Sequence, residues 1–303
     1  MIKNFEGILK TAKQRGPLKV SVAVAEDKHV LEAIWDAKKL GIIDAYLIGD
    51  KKKINSVADE IGMDISQFMV IDKANATEAA REAVYLVSSG KAQVVMKGLL
   101  DTSIIMKAVL DKEIGLRANS ILSHVAVFEV EGYKQLFYVT DAAMNIAPTL
   151  EEKAKIIENC VEVAQALDNK MPKVGIICAV EKVNKKMEAT IHAEELVNMN
   201  QRGEIKDCII GGPFALDNAI SKEAAIIKKI DHPVAGNAEI LLVPDIEAGN
   251  ILYKSLSFFA KAKNAGIIVG AKAPIVLTSR SDSREAKLQS LALGVMIAFN
   301  KII

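Results

Sequence analysis

The chain has 303 residues, half of them hydrophobic and a quarter charged, which is the composition of a globular protein with a sizeable core. Lys and Arg together number 39 and Asp and Glu 38, so no general basic field is available to bind long nucleic acids. The N-terminal segment lacks the apolar core of a signal peptide, and no stretch reaches the roughly 18 apolar residues of a membrane helix. We therefore expect a cytoplasmic protein that has no membrane association.

Short apolar runs alternate with amphipathic segments along the chain, a pattern that is typical of α/β proteins. The predicted strands are residues 20–25, 45–48, 68–71, 93–96, 121–129, 135–140, 174–178, 207–210, 239–243, 266–269 and 275–278. The predicted helices are residues 28–40, 77–89, a helix from about 102, and then 149–167, 187–200, 217–228, 246–262 and 283–299. Strands 121–129 and 135–140 flank a Glu131-Gly132 turn, which predicts one antiparallel pair in a mostly parallel sheet.

Helix-capping residues support several of these boundaries. Asp27 stands where it can cap the helix that follows it, and Thr149 with Glu152 has the spacing of a capping box. The alternation predicts two Rossmann-like, three-layer αβα domains with a seam near Ala147-Pro148. We expect the closing strand and helix to return to the first domain. That domain is then residues 1–146 plus 274–303, and the second is residues 147–273.

The chain contains three cysteines, each inside an apolar run and none in a CxxC spacing: Cys160, Cys178 and Cys208. This pattern favours reduced thiols buried in a core. The alternative is a catalytic thiolate, which needs a basic or helix-terminal setting. Cys178, near Glu181-Lys182, is the only one of the three that lies close to a predicted strand end.

Several motifs of known chemistry are absent from the sequence. It has no GxGxxG after a strand, no GxxxxGK[ST] and no GxSxG. His192-Ala-Glu-Glu-Leu begins like a zinc-protease motif but lacks the second histidine. We therefore expect neither a tightly bound metal nor a redox cofactor, and we assign no metal ligand.

Polar, glycine-containing loops follow several predicted strands, and ligands of open α/β sheets bind outside the carboxyl ends of the strands. Lys97, Gly98 and Thr102 could form an anion site at a helix N-terminus; they could equally be a strand end with a capping threonine and a solvated lysine. Asp141 and Asn145 follow another strand, where an Asx turn is the slightly favoured interpretation.

Two further loops belong to the predicted second domain. Gly212-Pro213 gives a turn signal followed by Asp217, and a second polar segment carries Asn250 and Lys254. Taken singly these residues are weak signals, but two long polar loops in one domain suggest a ligand cleft.

The segment Thr278-Ser-Arg-Ser-Asp-Ser-Arg284 links the last predicted strand to the last helix. Helix capping by Asp282 or Ser283 explains part of it but does not require two arginines. Arginine is suited to a bidentate grip on phosphate, and the N–H groups of the helix start add to that grip. We therefore favour a phosphate-binding function for this segment.

At these loops the sequence resembles the phosphate acetyl/butyryltransferase family over nearly its whole length, in order. The matching segments include Val30-Leu-Glu-Ala, Met96-Lys-Gly-Leu, Ser123-His-Val-Ala-Val-Phe, Thr140-Asp, Gly212-Pro, Leu242-Val-Pro-Asp-Ile-Glu-Ala-Gly-Asn250, Tyr253-Lys254 and Pro274-Ile-Val-Leu-Thr-Ser-Arg280. Ser281 replaces the glycine of the acetyl branch, and the sequence around it is most similar to that of the butyryl branch.

The resemblance implies a fold like that of isocitrate and isopropylmalate dehydrogenases, with the active site in a cleft between the two domains. It implies that Ser279 and Arg280 line the reacting centre and that an acidic residue, Asp282 or Glu285, deprotonates the coenzyme A thiol. A family arginine that binds phosphate has no arginine counterpart here, and Lys107 is the nearest basic residue. The substrate-binding residues expected on this basis are Lys97, Gly98, Thr102, Lys107, Asp141, Asn145, Gly212, Pro213, Asp217, Asn250 and Lys254.

The implied reaction is butanoyl-CoA plus phosphate giving butanoyl phosphate plus coenzyme A, by direct attack in a ternary complex. Coenzyme A and its thioester are then substrates, and no cofactor is bound. The resemblance also implies a homodimer or higher homo-oligomer. The alternatives are a phosphate acetyltransferase, a decarboxylating dehydrogenase that uses a metal and NAD, and a non-catalytic module that binds small anions.

Overall fold

The computed structural model describes residues 1–118, 120–279 and 282–302. Its contacts divide the chain into two compact units, each assembled from two segments. The central unit is Met1–Asn4 with Ile121–Asn264, and the terminal unit is Phe5–Ser120 with Ala265–Ile303. The divisions thus follow Asn4, Ser120 and Asn264, whereas the sequence places the seam after residues 146 and 273. The strands of residues 121–146 group with the central unit because they pair with its sheet.

The strands and helices alternate through most of the chain, as the sequence predicts. Within the described residues the strands are β1 Leu18–Ala23, β2 Ile43–Gly49, β3 Met69–Asp72, β4 Val94–Lys97, β5 Ser123–Glu129, β6 Phe137–Thr140, β7 Lys173–Ile177, β8 Ile209–Phe214, β9 Ile240–Leu242, β10 Lys263–Val269 and β11 Ile275–Val276. The helices are α1 Phe5–Arg15, α2 Lys28–Lys39, α3 Lys51–Glu60, α4 Ala76–Ser88, α5 Thr102–Val109, α6 Leu150–Ala166, α7 Glu188–Gln201, α8 Leu216–Ile220, α9 Lys222–Ile227, α10 Ile246–Phe258 and α11 Arg284–Ile302.

In the terminal unit the strand order is β3-β2-β1-β4-β11-β10. The first five of these strands run parallel, and β10 is antiparallel to β11. Met96 lies at the centre of this sheet, opposite Val22 on one side and Val276 on the other. Because the strands are parallel, the carboxyl ends of β1, β4 and β11 meet at one edge of the sheet.

In the central unit the strand order is β5-β6-β9-β7-β8. β5 and β6 form the predicted antiparallel pair, with Ala126 opposite Val139, and Gly132 takes a positive φ of 80° in the turn that joins them. The remaining neighbours, β6, β9, β7 and β8, are all parallel. The carboxyl ends of these four strands therefore share one edge of the sheet, from which the loops after Thr140 and Leu242 emerge.

The predicted helix caps are confirmed. The Asp27 carboxylate accepts a hydrogen bond from the Val30 backbone N–H at the start of α2. At α6 the Thr149 hydroxyl accepts from the Glu152 backbone N–H, and the Glu152 carboxylate accepts from the Thr149 backbone N–H. Side chains thus satisfy N–H groups that have no partner within the helix.

Two local predictions in the central unit are wrong. The helix predicted at residues 217–228 is divided into α8 and α9, because Ser221 adopts an extended conformation and caps α9. The Gly-Gly-Pro segment predicted as a turn lies inside β8. A side chain at Gly211 would lie 2.6 Å from the His232 ring and one at Gly212 2.9 Å from Ile176. These glycines therefore allow close packing of the strand.

None of the helices in the described parts of the chain has the length and apolar character needed to cross a bilayer.

Replacing Thr149 by Ala tests the capping box. The change leaves the Glu152 N–H of α6 without its side-chain acceptor, and we expect the free energy of unfolding to fall by about 1 kcal/mol in urea denaturation followed by circular dichroism. The control is Thr77→Ala, in the first turn of α4, where Asn75 performs the capping. We expect the control to change stability by less than about 0.5 kcal/mol. Equal effects of the two substitutions would contradict the capping function.

Candidate functional site

A small cavity lies at the carboxyl edge of the parallel strands of the terminal unit. Its volume is about 10 Å³, and its lining residues end or follow β1, β4 and β11 or belong to α2 and α11: Asp27, Val30, Lys97, Gly98, Leu99, Thr278, Ser279 and Lys287. We call it the Ser279 cavity. Ser279 and Lys97 are far apart in sequence, but parallel pairing of β4 with β11 brings the ends of their strands together. The structure thus places three predicted site residues, Lys97, Gly98 and Ser279, in one cavity.

Hydrogen bonds from its own neighbours hold the loop that carries Ser279. The Asp282 carboxylate accepts from the Ser279 backbone N–H at 2.6 Å. The Lys287 ammonium donates to the carbonyl oxygens of Ser279 at 3.1 Å and Asp282 at 2.7 Å. Because Lys287 lies in the first turn of α11, the loop is tied to a long helix at both its ends. Arg280 lies outside the described residues.

The other acidic candidate of this segment lies farther along the same helix. Glu285 accepts a hydrogen bond from the Gln289 side-chain amide at 3.0 Å, one turn along α11. Asp282, in contrast, lies within the loop itself. Arg284, the second arginine of the predicted phosphate-binding segment, forms a two-pronged ion pair with Asp36 of α2. Arg284 therefore links two helices, and only Arg280 is left for the phosphate grip predicted from the sequence.

A close backbone contact explains why residue 98 is a glycine. A side chain there would place its Cβ 2.1 Å from the carbonyl oxygen of Val24, and the Gly98 N–H donates to the carbonyl oxygen of Ala23 at 2.8 Å. The close approach is thus between β4 and the loop after β1. We infer that Gly98 is required for packing at the cavity wall, whatever ligand the cavity takes.

Two residues of α5 that the sequence predicts to bind substrate, Thr102 and Lys107, do not line the Ser279 cavity. Thr102 is the first residue of α5, and Asp101 occupies the cap position before it. Lys107 lines a separate cavity of about 280 Å³, whose other lining residues are Thr77, Arg81, Ser103, Ile104, Ala108 and Asp111. Arg81 forms an ion pair with Asp111 at 2.5 Å. The family's phosphate-binding arginine is absent from this chain. Lys107 does not line the Ser279 cavity and so does not take its place there.

Asp141 and Asn145 of the central unit form a buried network. The Asp141 side chain is 3% exposed and accepts hydrogen bonds from four N–H groups, those of His124, Ala143, Met144 and the Asn145 amide. The Asn145 amide also donates to the Leu122 carbonyl oxygen at 2.9 Å. The Asx turn favoured by the sequence is present, and it is extended by bonds to β5.

Asn250 and Lys254 lie on α10, close to this network. The Asn250 amide donates to the Ala142 carbonyl oxygen at 3.3 Å, so α10 is attached to the loop that carries Asp141. The Lys254 ammonium lies 5.6 Å from the centre of the Tyr253 ring and 5.7 Å from that of Phe258, which is cation–π geometry. The structure therefore brings Asp141, Asn145 and Asn250 together.

The remaining predicted residues of this unit have other partners. Gly212 and Pro213 lie within β8, and Asp217, in the first turn of α8, is half-exposed. The Asp217 carboxylate pairs with the Lys228 ammonium at 3.1 Å, and this pair lowers the pKa of Asp217. Its charge is thus already balanced at the protein surface.

Sequence reasoning missed two buried lysines. Lys287 is 3% exposed and Lys153 is 5% exposed. The Lys153 ammonium lies 3.1 Å from Nδ1 of His192, and both line a cavity of about 560 Å³ in the central unit. A signal for Lys287 was available, because it falls on the same helical stripe as the buried Ser290, Leu291 and Gly294.

The three cysteines are buried, as expected. Burial raises the pKa of the Cys178 thiol to about 11 and that of Cys208 to about 12, and it also raises the pKa of Cys160. The thiols are therefore protonated at neutral pH, which argues against the catalytic thiolate alternative. No group of His, Cys, Asp and Glu in the described residues has the arrangement of a metal site.

Replacing Asp141 by Asn tests the buried network. In the variant an NH2 group replaces one carboxylate oxygen, so it faces N–H donors that have lost their acceptor. We therefore expect the free energy of unfolding to fall by about 1–3 kcal/mol in urea denaturation. The control is Asp231→Asn, at an exposed position, for which we expect a change below about 0.5 kcal/mol. Unfolding of both variants at the same urea concentration would show that the network contributes little.

Fold and site together define an α/β protein with a polar, lysine-lined cavity at the carboxyl edge of a parallel sheet. The model of the family described as phosphate acetyl/butaryl transferase matches residues 4–85 and 73–295. The chain is 50% identical to a phosphate butyryltransferase of Clostridium acetobutylicum, covering 99% of this chain and 100% of that protein. It is 44% identical to a phosphate acetyltransferase of Thermotoga maritima, covering 97% and 99% respectively.

A solved structure agrees with these relatives. The branched-chain phosphotransacylase from Enterococcus faecalis V583 has a TM-score of 0.81 and 35% identity, covering 93% of this chain and 99% of that one. The chain belongs to the phosphate acetyl/butaryl transferase family, which confirms the resemblance found in the sequence. It is therefore a transferase.

Proposed function

We propose that the chain transfers a butanoyl group between coenzyme A and phosphate. The observation that carries this proposal is the identity of 50% to a phosphate butyryltransferase over essentially the full length of both chains. The Ser279 cavity supports it, because two buried lysines line a space beside a serine at a sheet edge where ligands bind. Acyl-CoA and phosphate are thus the proposed substrates, and coenzyme A acts as a substrate rather than as a bound cofactor.

The proposed reaction is one direct displacement in a ternary complex. A phosphate oxygen attacks the thioester carbonyl carbon, a C–O bond forms through a tetrahedral oxyanion, and the C–S bond breaks to release the coenzyme A thiolate. In reverse, the thiol loses its proton and its sulfur attacks the acyl phosphate. Both acyl donors are activated, so positioning and charge stabilisation are what the protein must supply. We assign the phosphate grip to Arg280 and a hydrogen bond to the oxyanion to Ser279.

The two acidic residues receive different functions in this proposal. Asp282 uses a carboxylate oxygen to hold the Ser279 backbone N–H, which supports a positioning role. Glu285 is the carboxylate that we propose to accept the thiol proton. The two other polar groups, around Asp141 with Asn250 and around Lys254, are proposed to contact the coenzyme A substrate.

We also propose that each unit is a Rossmann-like domain with three αβα layers. The homo-oligomeric state and the cytoplasmic location expected from the sequence stay predictions. Acetyl transfer is the second candidate activity, because the 44% identity to a phosphate acetyltransferase also spans nearly the whole chain.

Release of free thiol from acyl-CoA tests the function. With purified protein, butanoyl-CoA and phosphate, we expect phosphate-dependent thiol release and a higher kcat/KM for butanoyl-CoA than for acetyl-, propionyl- or branched acyl-CoA. A higher value for acetyl-CoA would favour the acetyl alternative. Binding of coenzyme A without thiol release would indicate the non-catalytic module. Magnesium-dependent binding of NAD would indicate the dehydrogenase.

Replacing Arg280 by Ala tests the phosphate grip. We expect turnover to fall on the order of a hundredfold or more, because one such donor contributes about 2.7–4 kcal/mol to a barrier. The circular dichroism spectrum should be unchanged. Arg117→Ala, at an exposed position of the same unit, is the matched control and should keep its activity. Turnover at the wild-type rate in the Arg280 variant would contradict the assignment.

A further inference from the structure

Lys287 is a buried cation that no part of the proposed reaction has used. It lies in the first turn of α11, and only 3% of it is exposed. Removing an ammonium group from water is costly, and proteins usually offset that cost with a carboxylate partner. Within the described parts of the chain, Lys287 forms no ion pair. Its hydrogen bonds go to the backbone carbonyl oxygens of Ser279 and Asp282.

The ammonium group of Lys287 therefore has capacity for one more partner. An ammonium carries three N–H donors. The two carbonyl oxygens take two of these donors, at 3.1 and 2.7 Å, and the third has no acceptor among the described residues. The carbonyl contacts also fix the direction of the side chain, because its tip is attached to the loop that carries Ser279. The charge is thus held in place but is not neutralised by direct contact.

The space next to this group has the size of one oxygen atom. Lys287, Lys97 and Ser279 all line the Ser279 cavity, whose volume of about 10 Å³ is close to the smallest that holds one water molecule. Lys97 is also buried, with 5% of it exposed. Asp27 also lines the cavity, but its carboxylate accepts the Val30 N–H at the start of α2. Two lysines and one serine around an oxygen-sized space form a site that suits a single anionic oxygen.

We propose that Lys287 binds one phosphoryl oxygen of the substrate in the Ser279 cavity, by donating its third N–H to that oxygen. This inference rests on the proposed function and adds a substrate-binding residue to it. The same ammonium holds the Ser279 carbonyl, so one group positions both the phosphate and the serine that is proposed to donate to the oxyanion. Lys287 and the loop that carries Ser279 and Arg280 then bind the phosphate together. This arrangement requires no cation at the position of Lys107.

The electrostatic surroundings of Lys287 give the site a pH dependence. Burial lowers the pKa of its ammonium, and the carboxylates of Asp282 and Asp27 offset part of this lowering. Lys97 lines the same cavity. Only the charged form can hold phosphate, so phosphate binding should weaken as the pH rises through this lowered pKa. An arginine at the position stays charged throughout.

The test compares Lys287→Met, which removes the charge with little change in length, with Lys287→Arg, which keeps it. Lys272→Met, at an exposed lysine of the same unit, is the matched control. For Lys287→Met we expect KM for phosphate to rise about ten- to a hundredfold, the effect of losing one hydrogen bond to a charged group. KM for butanoyl-CoA should change little. Lys272→Met should behave as wild type.

The pH profile separates phosphate binding from a purely structural role. In the wild type, KM for phosphate should increase on the alkaline side, and in Lys287→Arg this increase should move to higher pH. The wild-type profile requires no variant, so it remains informative if Lys287→Met fails to fold. An unchanged KM for phosphate in folded Lys287→Met, or an identical alkaline limb in wild type and Lys287→Arg, would overturn the inference. Lack of thiol release by the wild type would overturn the proposed function itself.

Discussion

The buried ammonium of Lys287 constrains the loop between β11 and α11, and the arrangement of the Ser279 cavity depends on this contact. The loop carbonyls of Ser279 and Asp282 turn towards the ammonium, and the Asp282 carboxylate takes the Ser279 N–H. The backbone of Ser279 is thereby held at both its N–H and its carbonyl group. The oxyanion hydrogen bond proposed for Ser279 would then come from a group whose backbone is fixed before substrate arrives, and preorganised donors of this kind lower a barrier.

In the central unit a buried side chain of the opposite charge also holds a strand-end loop. There the Asp141 carboxylate is buried and collects N–H groups from the loop after β6 and from β5. In both units one buried charged group organises a strand-end loop through bonds to backbone or amide groups, and among the described residues it forms no ion pair. Hydrogen bonds to charged groups are stronger than those between neutral groups, so one side chain can hold several loop residues.

The sequence predicts the alternation of strands and helices because apolar periodicity and capping residues are local signals. Thr149 with Glu152 and the β5–β6 pair are examples. It does not predict that Gly211 and Gly212 lie inside a strand, because their reason is contact with His232 and Ile176. Such contacts join residues that are distant along the chain.

The site shows the same division between local and distant signals. Ser279, Lys97 and Gly98 could be grouped from the sequence because the carboxyl ends of parallel strands share an edge. The sequence could not show which groups Lys107 and Arg284 contact, because their positions depend on helix packing, which places Lys107 in another cavity and Arg284 beside Asp36. Lys287 was missed because a lysine near a helix start is usually solvated, although its place on the same helical stripe as Ser290, Leu291 and Gly294 was a signal of burial.

A crystal structure of the chain with inorganic phosphate and a coenzyme A analogue that lacks the thiol tests the account most directly. The account predicts a phosphate oxygen in the Ser279 cavity, within about 3 Å of the Lys287 ammonium nitrogen. Phosphate bound elsewhere, with the Ser279 cavity holding only water, would contradict it.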